Sequence, residues 1–149
     1  MKIRRVVSQY AEVVAETPAT RAHYGQAGNS PEAIAAMLRP IVGDSPVENF
    51  AVVLLNGKHR VIGIAIVSVG TPTVALVHPR EVFGPAVRMG AVSVIVAHNH
   101  PSGDPEPSRE DHDVTQRLKQ AGELLGIQLL DHIVIGLDSH VSLRARGLV

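Results

Sequence analysis

The sequence predicts a three-layer α/β sandwich built on a mixed sheet. Three observations carry that expectation. Stretches with apolar residues at helical spacing alternate with short β-branched runs, in the order helix, hairpin, helix, strand, helix, strand. The strand candidates are apolar on both faces, so the sheet needs cover on each side. An Asn56-Gly57 step joins two of them, the strongest short hairpin signal in the chain.

Taken in order, residues 1–29 read as an N-terminal arm ahead of a domain spanning 30–149. Lys2, Arg4 and Arg5 alternate with Ile3 before Val6-Val7, and His23 to Asn29 forms a turn-rich linker. Ser30-Pro31 opens the first helix, an N-cap followed by proline at the first helical position. Ala33, Ile34, Met37, Leu38 and Ile41 share one face, and Pro40 kinks or ends the helix. Strands are expected over Phe50 to Leu55 and Val61 to Val67, with a further short one over Thr73 to Val77. His78-Pro79-Arg80-Glu81 starts a second helix that carries Pro85 and stops at Gly90. Ala91 to Ala97 is a buried strand, Arg109 to about Leu125 a third helix closed by Gly126, and Ile127 to Ile135 another strand. Val141 to Leu143 adds a short return strand.

Composition narrows the chemistry. With 149 residues and 45% hydrophobic content, the chain is long enough for one globular core. Two Phe, two Tyr and no Trp leave that core to Val, Ile, Leu and Ala. Fourteen basic and fourteen acidic side chains give zero formal charge, which argues against a partner bound by phosphate neutralisation. Zero cysteines remove disulfides, Cys-ligated zinc and thiol nucleophiles, and with them the zinc deaminase signature. No apolar stretch approaches the roughly 18–20 residues of a membrane span, and Met1 to Arg5 is not followed by an apolar signal region. A soluble cytoplasmic protein is the expectation.

Chemistry concentrates in residues 98–111, His98-Asn99-His100-Pro101-Ser102-Gly103-Asp104-Pro105-Glu106-Pro107-Ser108-Arg109-Glu110-Asp111. At a strand end, residues two apart point the same way, so His98 and His100 share a face. Four residues resistant to regular structure (Pro101, Gly103, Pro105, Pro107) force a rigid loop, Ser108 is a good N-cap, and Asp111 falls in the first helical turn. Either histidine alone would more often be a packed residue, and Ser-x-x-Asp is also a capping pair. Together, two imidazoles and a carboxylate make a three-ligand divalent-metal site, the zinc arrangement that keeps a fourth position open.

The spacing His-x-His, seven residues, Ser, two residues, Asp resembles the JAMM motif of JAB/MPN-domain metalloproteases. The words HPREVF, AHNHPSGDPEPSRED and LLDHIVIG resemble the bacterial RadC family in particular, and the likeness runs from about Ser30 to the C-terminus. The resemblance implies the cytidine-deaminase-like αβα architecture of JAB/MPN domains. It also implies one zinc per chain on His98, His100 and Asp111, in preference to Asp104, Glu106 or Glu110. Full-length RadC proteins carry an N-terminal helix-hairpin-helix module that nothing here matches, so the chain looks like a short stand-alone form.

JAMM enzymes use a glutamate just before an upstream strand as general acid/base. Glu48, 50 residues before His98 and leading into Asn49 to Leu55, fits that place, with Glu81 the competitor. Ser108 resembles the serine that donates to the developing oxyanion, a role it would share with its N-cap function. Asp131-His132 is read either as a pair orienting a ligand histidine or as a buried satisfied pair. No G-x-S-x-G elbow is present, which leaves a covalent serine mechanism without support. The expected activity is hydrolysis of a peptide or isopeptide bond, with a peptide or protein tail as substrate, weak or indirect nucleic-acid contact and no membrane. The alternatives are a DNA-associated protein of repair or mobile elements, which is the family's label, and a catalytically silent MPN scaffold.

Overall fold

The computed structural model describes Gly25, Ala27, Gly28 and residues 30–69 and 77–149. Helix α1 (Pro31–Leu38) begins as its first residues dictate: the Ser30 hydroxyl accepts the Ala33 N–H at 3.3 Å, and Pro31 occupies the first turn. Pro40 has no N–H to give the preceding turn, and the helix widens into a π-helical turn over Arg39–Gly43.

Strand β1 (Asn49–Leu55) is buried along its whole length. It pairs antiparallel with β2 (Val61–Val69), from Asn49 opposite Val69 to Leu55 opposite Val61. The link between them differs from a tight Asn-Gly turn. Asn56 works through its side chain, whose Oδ1 accepts the N–H groups of Lys58 (2.9 Å) and Arg60 (3.0 Å). The residue in the left-handed region is His59, at φ 54°, and not Gly57. A wider loop results, closed by Asn56 donating to the Arg60 carbonyl at 3.0 Å.

Helix α2 (Pro79–Met89) is capped by Glu81, whose carboxylate accepts the His78 N–H at 3.3 Å. Pro85 is tolerated inside it; Gly84 ahead of it has no Cβ to clash with the proline ring. Gly90, at φ 66°, ends the helix. Strand β3 (Ser93–Asn99), helix α3 (Arg109–Leu125) with Gly126 at φ 71°, strand β4 (Gln128–Ile135) and strand β5 (His140–Ser142) complete the order. The sheet runs β2-β1-β3-β4-β5, with β3 and β4 parallel and every other pair antiparallel. This is the mixed sheet expected from the sequence.

Alternation along β1 divides the core. Phe50, Val52 and Leu54 meet Val82, Phe83 and Leu118 of α2 and α3 on one face. Ala51, Val53 and Leu55 meet Ile34, Leu38 and Val42 of α1 and the π turn on the other. Helices cover the sheet on each side, as expected, and the cover is complete over β1 but thinner over β2. Ile62, Ile64, Ile66 and Val67 are only half-buried, because β2 lies at the sheet edge. Ala27 bridges Arg60 beside it, and Gly25 and Gly28 donate to the Val61 and His59 carbonyls. The strand expected over Thr73 to Val77 lies, apart from Val77, outside the described residues, as does most of the arm at 1–29. No described helix is long and apolar enough to cross a membrane.

Gly122 sets how closely α3 approaches its neighbours. A Cβ there would overlap the Ile127 carbonyl oxygen and come 3.1 Å from Phe83 Cζ. Gly122→Ala should therefore destabilise by about 1–3 kcal/mol through overpacking, although alanine is the better helix former. Thermal unfolding checks the sign: a midpoint at or above wild type would show that α3 can shift freely.

Candidate metal centre

The site forms where β3 runs out. β3 is a central strand, with Phe50 of β1 opposite His98 on one side and Val134 of β4 on the other. His98 is fully buried, its ring stacked on Phe50 at 6.1 Å between centroids and 10° between planes. His100, two residues on, brings its Nε2 to 3.0 Å from Nε2 of His98. Its Nδ1 lies 2.8 Å from the Asp104 carbonyl, which can only accept, so that nitrogen carries the hydrogen.

The Pro/Gly loop then turns back. Gly103 adopts φ 86°, and its N–H donates to the His100 carbonyl at 2.9 Å. The loop is pressed onto the β4–β5 turn, where Leu137 donates to the Gly103 carbonyl at 2.9 Å. A Cβ on Gly136 would overlap that same carbonyl and lie 2.9 Å from Pro105 Cδ, so only glycine fits there. Arg39, from the π turn on the far layer, holds the turn by donating to the carbonyls of Gly136 (2.8 Å), Leu137 and Ser139 (3.2 Å).

Helix α3 delivers the carboxylate. Ser108 and Asp111 form the reciprocal cap expected of them, Oγ of Ser108 accepting the Asp111 N–H at 3.1 Å and Oδ2 of Asp111 accepting the Ser108 N–H at 2.8 Å. Asp111 is nonetheless 1% exposed and aimed at the histidines, with Oδ1 3.1 Å from His98 Nε2 and Oδ2 3.4 Å from His100 Nε2. The cap and the approach to the histidines coexist in one side chain. Ser108 itself is exposed, and its hydroxyl, an acceptor in the cap, keeps a hydrogen to donate.

Glu48 joins them across 50 residues of sequence, Oε1 3.8 Å from His98 Nε2. The donor atoms offered by Glu48, His98, His100 and Asp111 all lie within 4.8 Å of one another, so this group could hold a metal ion. Glu81 does not belong to it; it caps α2. Sequence reasoning missed the residue that brings Glu48 in. Asn99, fully buried between the two histidines, accepts the Asn49 N–H at 2.7 Å and donates to the carbonyls of Val47 (3.0 Å) and Ser45 (3.4 Å). It grips the chain on both sides of Glu48. A polar residue inside an otherwise apolar strand was the available signal, since buried amides need partners.

Asp131 and His132 do not act as a pair. They are neighbours on β4 and face opposite ways. Asp131 accepts from the backbone of His132 (2.7 Å) and Arg144 (3.0 Å) and from Ser142 Oγ (2.6 Å), tying β5 to β4. His132 instead places Nε2 2.8 Å from Nδ1 of His98.

Charge follows geometry. Burial raises the Glu48 carboxyl above its ordinary range, only partly offset by His98 and His100. His100 is pushed up by its Asp111 contact against the effect of burial, with the Asp104 carbonyl adding to the rise. Burial alone would raise Asp111, but its contacts with the His100 and His98 rings and the hydrogen bond from the Ser108 N–H overcome it and hold the carboxylate ionised. Burial drives His132 well down, so that ring is neutral. Imidazole nitrogens and carboxylate oxygens thus converge on one small volume, a donor set that could hold a divalent metal ion.

Comparison with known proteins identifies the family of the chain. The family model described as the RadC-like JAB domain matches residues 28–148. A UPF0758 protein of Symbiobacterium thermophilum is 52% identical over 120 residues, covering 80% of this chain and 51% of that protein. A UPF0758 protein of Syntrophotalea carbinolica is 47% identical over 125 residues, covering 84% and 55% respectively. The chain therefore spans about half the length of these relatives. With the family model matching residues 28–148 and a relative 52% identical over 80% of the chain, the chain belongs to the RadC-like JAB domain family.

Proposed function

We propose that this chain is a zinc-dependent hydrolase that cleaves a peptide or isopeptide bond. The observation that supports it is the meeting of Glu48 with His98, His100 and Asp111 at the C-terminal end of β3. His98, His100 and Asp111 would hold one zinc ion, and Glu48 would be left to move protons. Zinc in such a site supplies a Lewis acid that polarises a carbonyl and makes water acidic near neutral pH. Glu48 takes a proton from the attacking water on its carboxylate and returns it to the departing amine nitrogen as the C–N bond breaks. Its half-buried position and raised carboxyl pKa suit both halves of that transfer. Ser108 donates its hydroxyl hydrogen to the carbonyl oxygen as negative charge develops there. Asn99 keeps Glu48 at its distance from the histidines by holding Val47 and Asn49.

The amide substrate rests on the donor set. Phosphodiester cleavage more often recruits two metals about 4 Å apart, bridged by several carboxylates. Here two carboxylates share one cluster with two histidines. Glu106, within the loop, pairs with Arg146 at 2.6 Å instead of lying in the cluster. A paired assay decides the substrate: a fluorogenic peptide and ubiquitin-like conjugate panel against labelled single- and double-stranded DNA. Zinc-dependent turnover of the amide panel is the expected result. Zinc-dependent DNA cleavage that disappears in Glu48→Gln, with no amide turnover, would replace this reading with a DNA-directed one; binding without any turnover would favour a scaffold.

Purified protein should carry about one zinc per chain, and His98→Ala combined with His100→Ala should abolish it. Elemental analysis and calorimetry on chelator-stripped protein measure this; a stripped wild type that ignores added zinc overturns the site.

Glu48→Gln should keep zinc content and melting temperature near wild type while hydrolysis falls by roughly 100-fold or more, the scale of a lost general base. A parallel fall in zinc affinity would make Glu48 a fourth ligand and not a proton carrier. Glu81→Gln should cost stability through the α2 cap and leave turnover per folded molecule unchanged.

A further inference from the structure

The buried groups behind His98 form a connected line that the proposed reaction does not use. Thr115 lies on α3 one turn after Asp111, and its Oγ1 is 2.6 Å from the Asp111 backbone carbonyl oxygen. On its other side the same oxygen is 2.6 Å from Nδ1 of His132. His132 in turn presents Nε2 to Nδ1 of His98 at 2.8 Å. All three side chains are fully buried.

The donor and acceptor roles along this line follow from its one fixed end. A carbonyl oxygen can only accept, so the Thr115 hydroxyl hydrogen is committed to Asp111. The Thr115 oxygen is then an acceptor, and Nδ1 of His132 must carry a hydrogen to give it. A neutral imidazole has one N–H, which leaves Nε2 of His132 as a lone pair. That lone pair accepts from His98, whose hydrogen must sit on Nδ1. Nε2 of His98 is therefore bare, and it is this atom that lies 3.1 Å from Asp111 Oδ1 and 3.0 Å from His100 Nε2. The reverse orientation would leave two oxygens 2.6 Å apart with no hydrogen between them. It would also put a hydrogen on Nε2 of His98, aimed into the donor cluster.

We propose that Thr115 and His132 are positioning residues that fix the proton of His98 on Nδ1 and so present Nε2 as a ready metal-binding lone pair. The inference rests on the metal-site reading above. Its direction is set by the backbone of Asp111, the residue whose carboxylate stands beside the nitrogen being prepared. Asp111 thus contributes to the cluster at one end of the side-chain line and orders the tautomers at the other. His100 reaches the same state by a shorter route, through the Asp104 carbonyl. Partners that hold ligand histidines in this way typically change metal affinity by about 10–100-fold when removed.

Long-range proton–nitrogen NMR of the histidine rings in metal-free protein at pH 8 tests this, with zinc calorimetry beside it. Wild type should show both His98 and His132 protonated at Nδ1. Thr115→Val, which keeps the shape and removes the hydroxyl, should let His132 shift its hydrogen to Nε2 and move His98 toward the Nε2–H form. Zinc affinity should fall by about 10–100-fold, and Thr115→Ser should restore both readouts. Wild-type His98 protonated at Nε2 overturns the proposal, as does Thr115→Val with unchanged tautomers and unchanged affinity. The two readings fail separately. If wild type binds no zinc the metal site falls, while the tautomers of the metal-free protein still decide the relay.

Discussion

The parallel pairing of β3 with β4 is the constraint on which the rest depends. Two parallel strands cannot be joined by a tight turn, so the chain must cross back over the sheet, and α3 is that crossover. The N-terminus of such a helix necessarily starts near the carboxyl end of the strand before it. The residues that end β3, His98 to His100, and the residue that opens α3, Asp111, are therefore neighbours in space by topology. The rigid loop between them only refines the distance. β1 does the remaining work: paired antiparallel with β3, it begins where β3 ends and so carries Glu48 to the same spot.

That meeting point is electrostatically demanding, and the surrounding structure is organised to sustain it. Asp111 keeps its charge although almost wholly buried, because the His100 and His98 rings stand against it and the N-cap Ser108 N–H donates to it. The two imidazoles give their Nδ1 hydrogens away from the centre, one to a backbone carbonyl and one along the His132 line. What remains facing inward are acceptors. Among the described residues, Ser93 Oγ is the buried side-chain polar atom without a hydrogen-bond partner.

Legibility in the sequence divided along the range of the interactions. Ser30-Pro31, Gly90, Gly126 and the Ser108–Asp111 cap act on their own neighbours and could be read directly. The His-x-His step was equally local. Glu48 was not: only its likeness to a family pattern singled it out, because a lone glutamate before a strand is ordinarily a solvated charge. Asn56-Gly57 was read as a turn, correctly, but the mechanism was the Asn56 side chain and a left-handed His59. Arg39 and Thr115 were invisible because Gly136 and His132, which they meet, lie far from them in sequence. Strand parity would have separated Asp131 from His132 in advance, since adjacent strand residues point to opposite faces of the sheet.

Arg39 shows how far the site extends through the sandwich. It belongs to the layer that covers the opposite face of the sheet, yet its guanidinium holds the turn against which the histidine-bearing loop is pressed. The two outer layers are thus mechanically joined around the end of the sheet, not only through it. A change in how α1 seats on the sheet would be felt at His100 as a displacement of its supporting loop. The helical layer without a single proposed ligand thus helps to fix where the ligands stand.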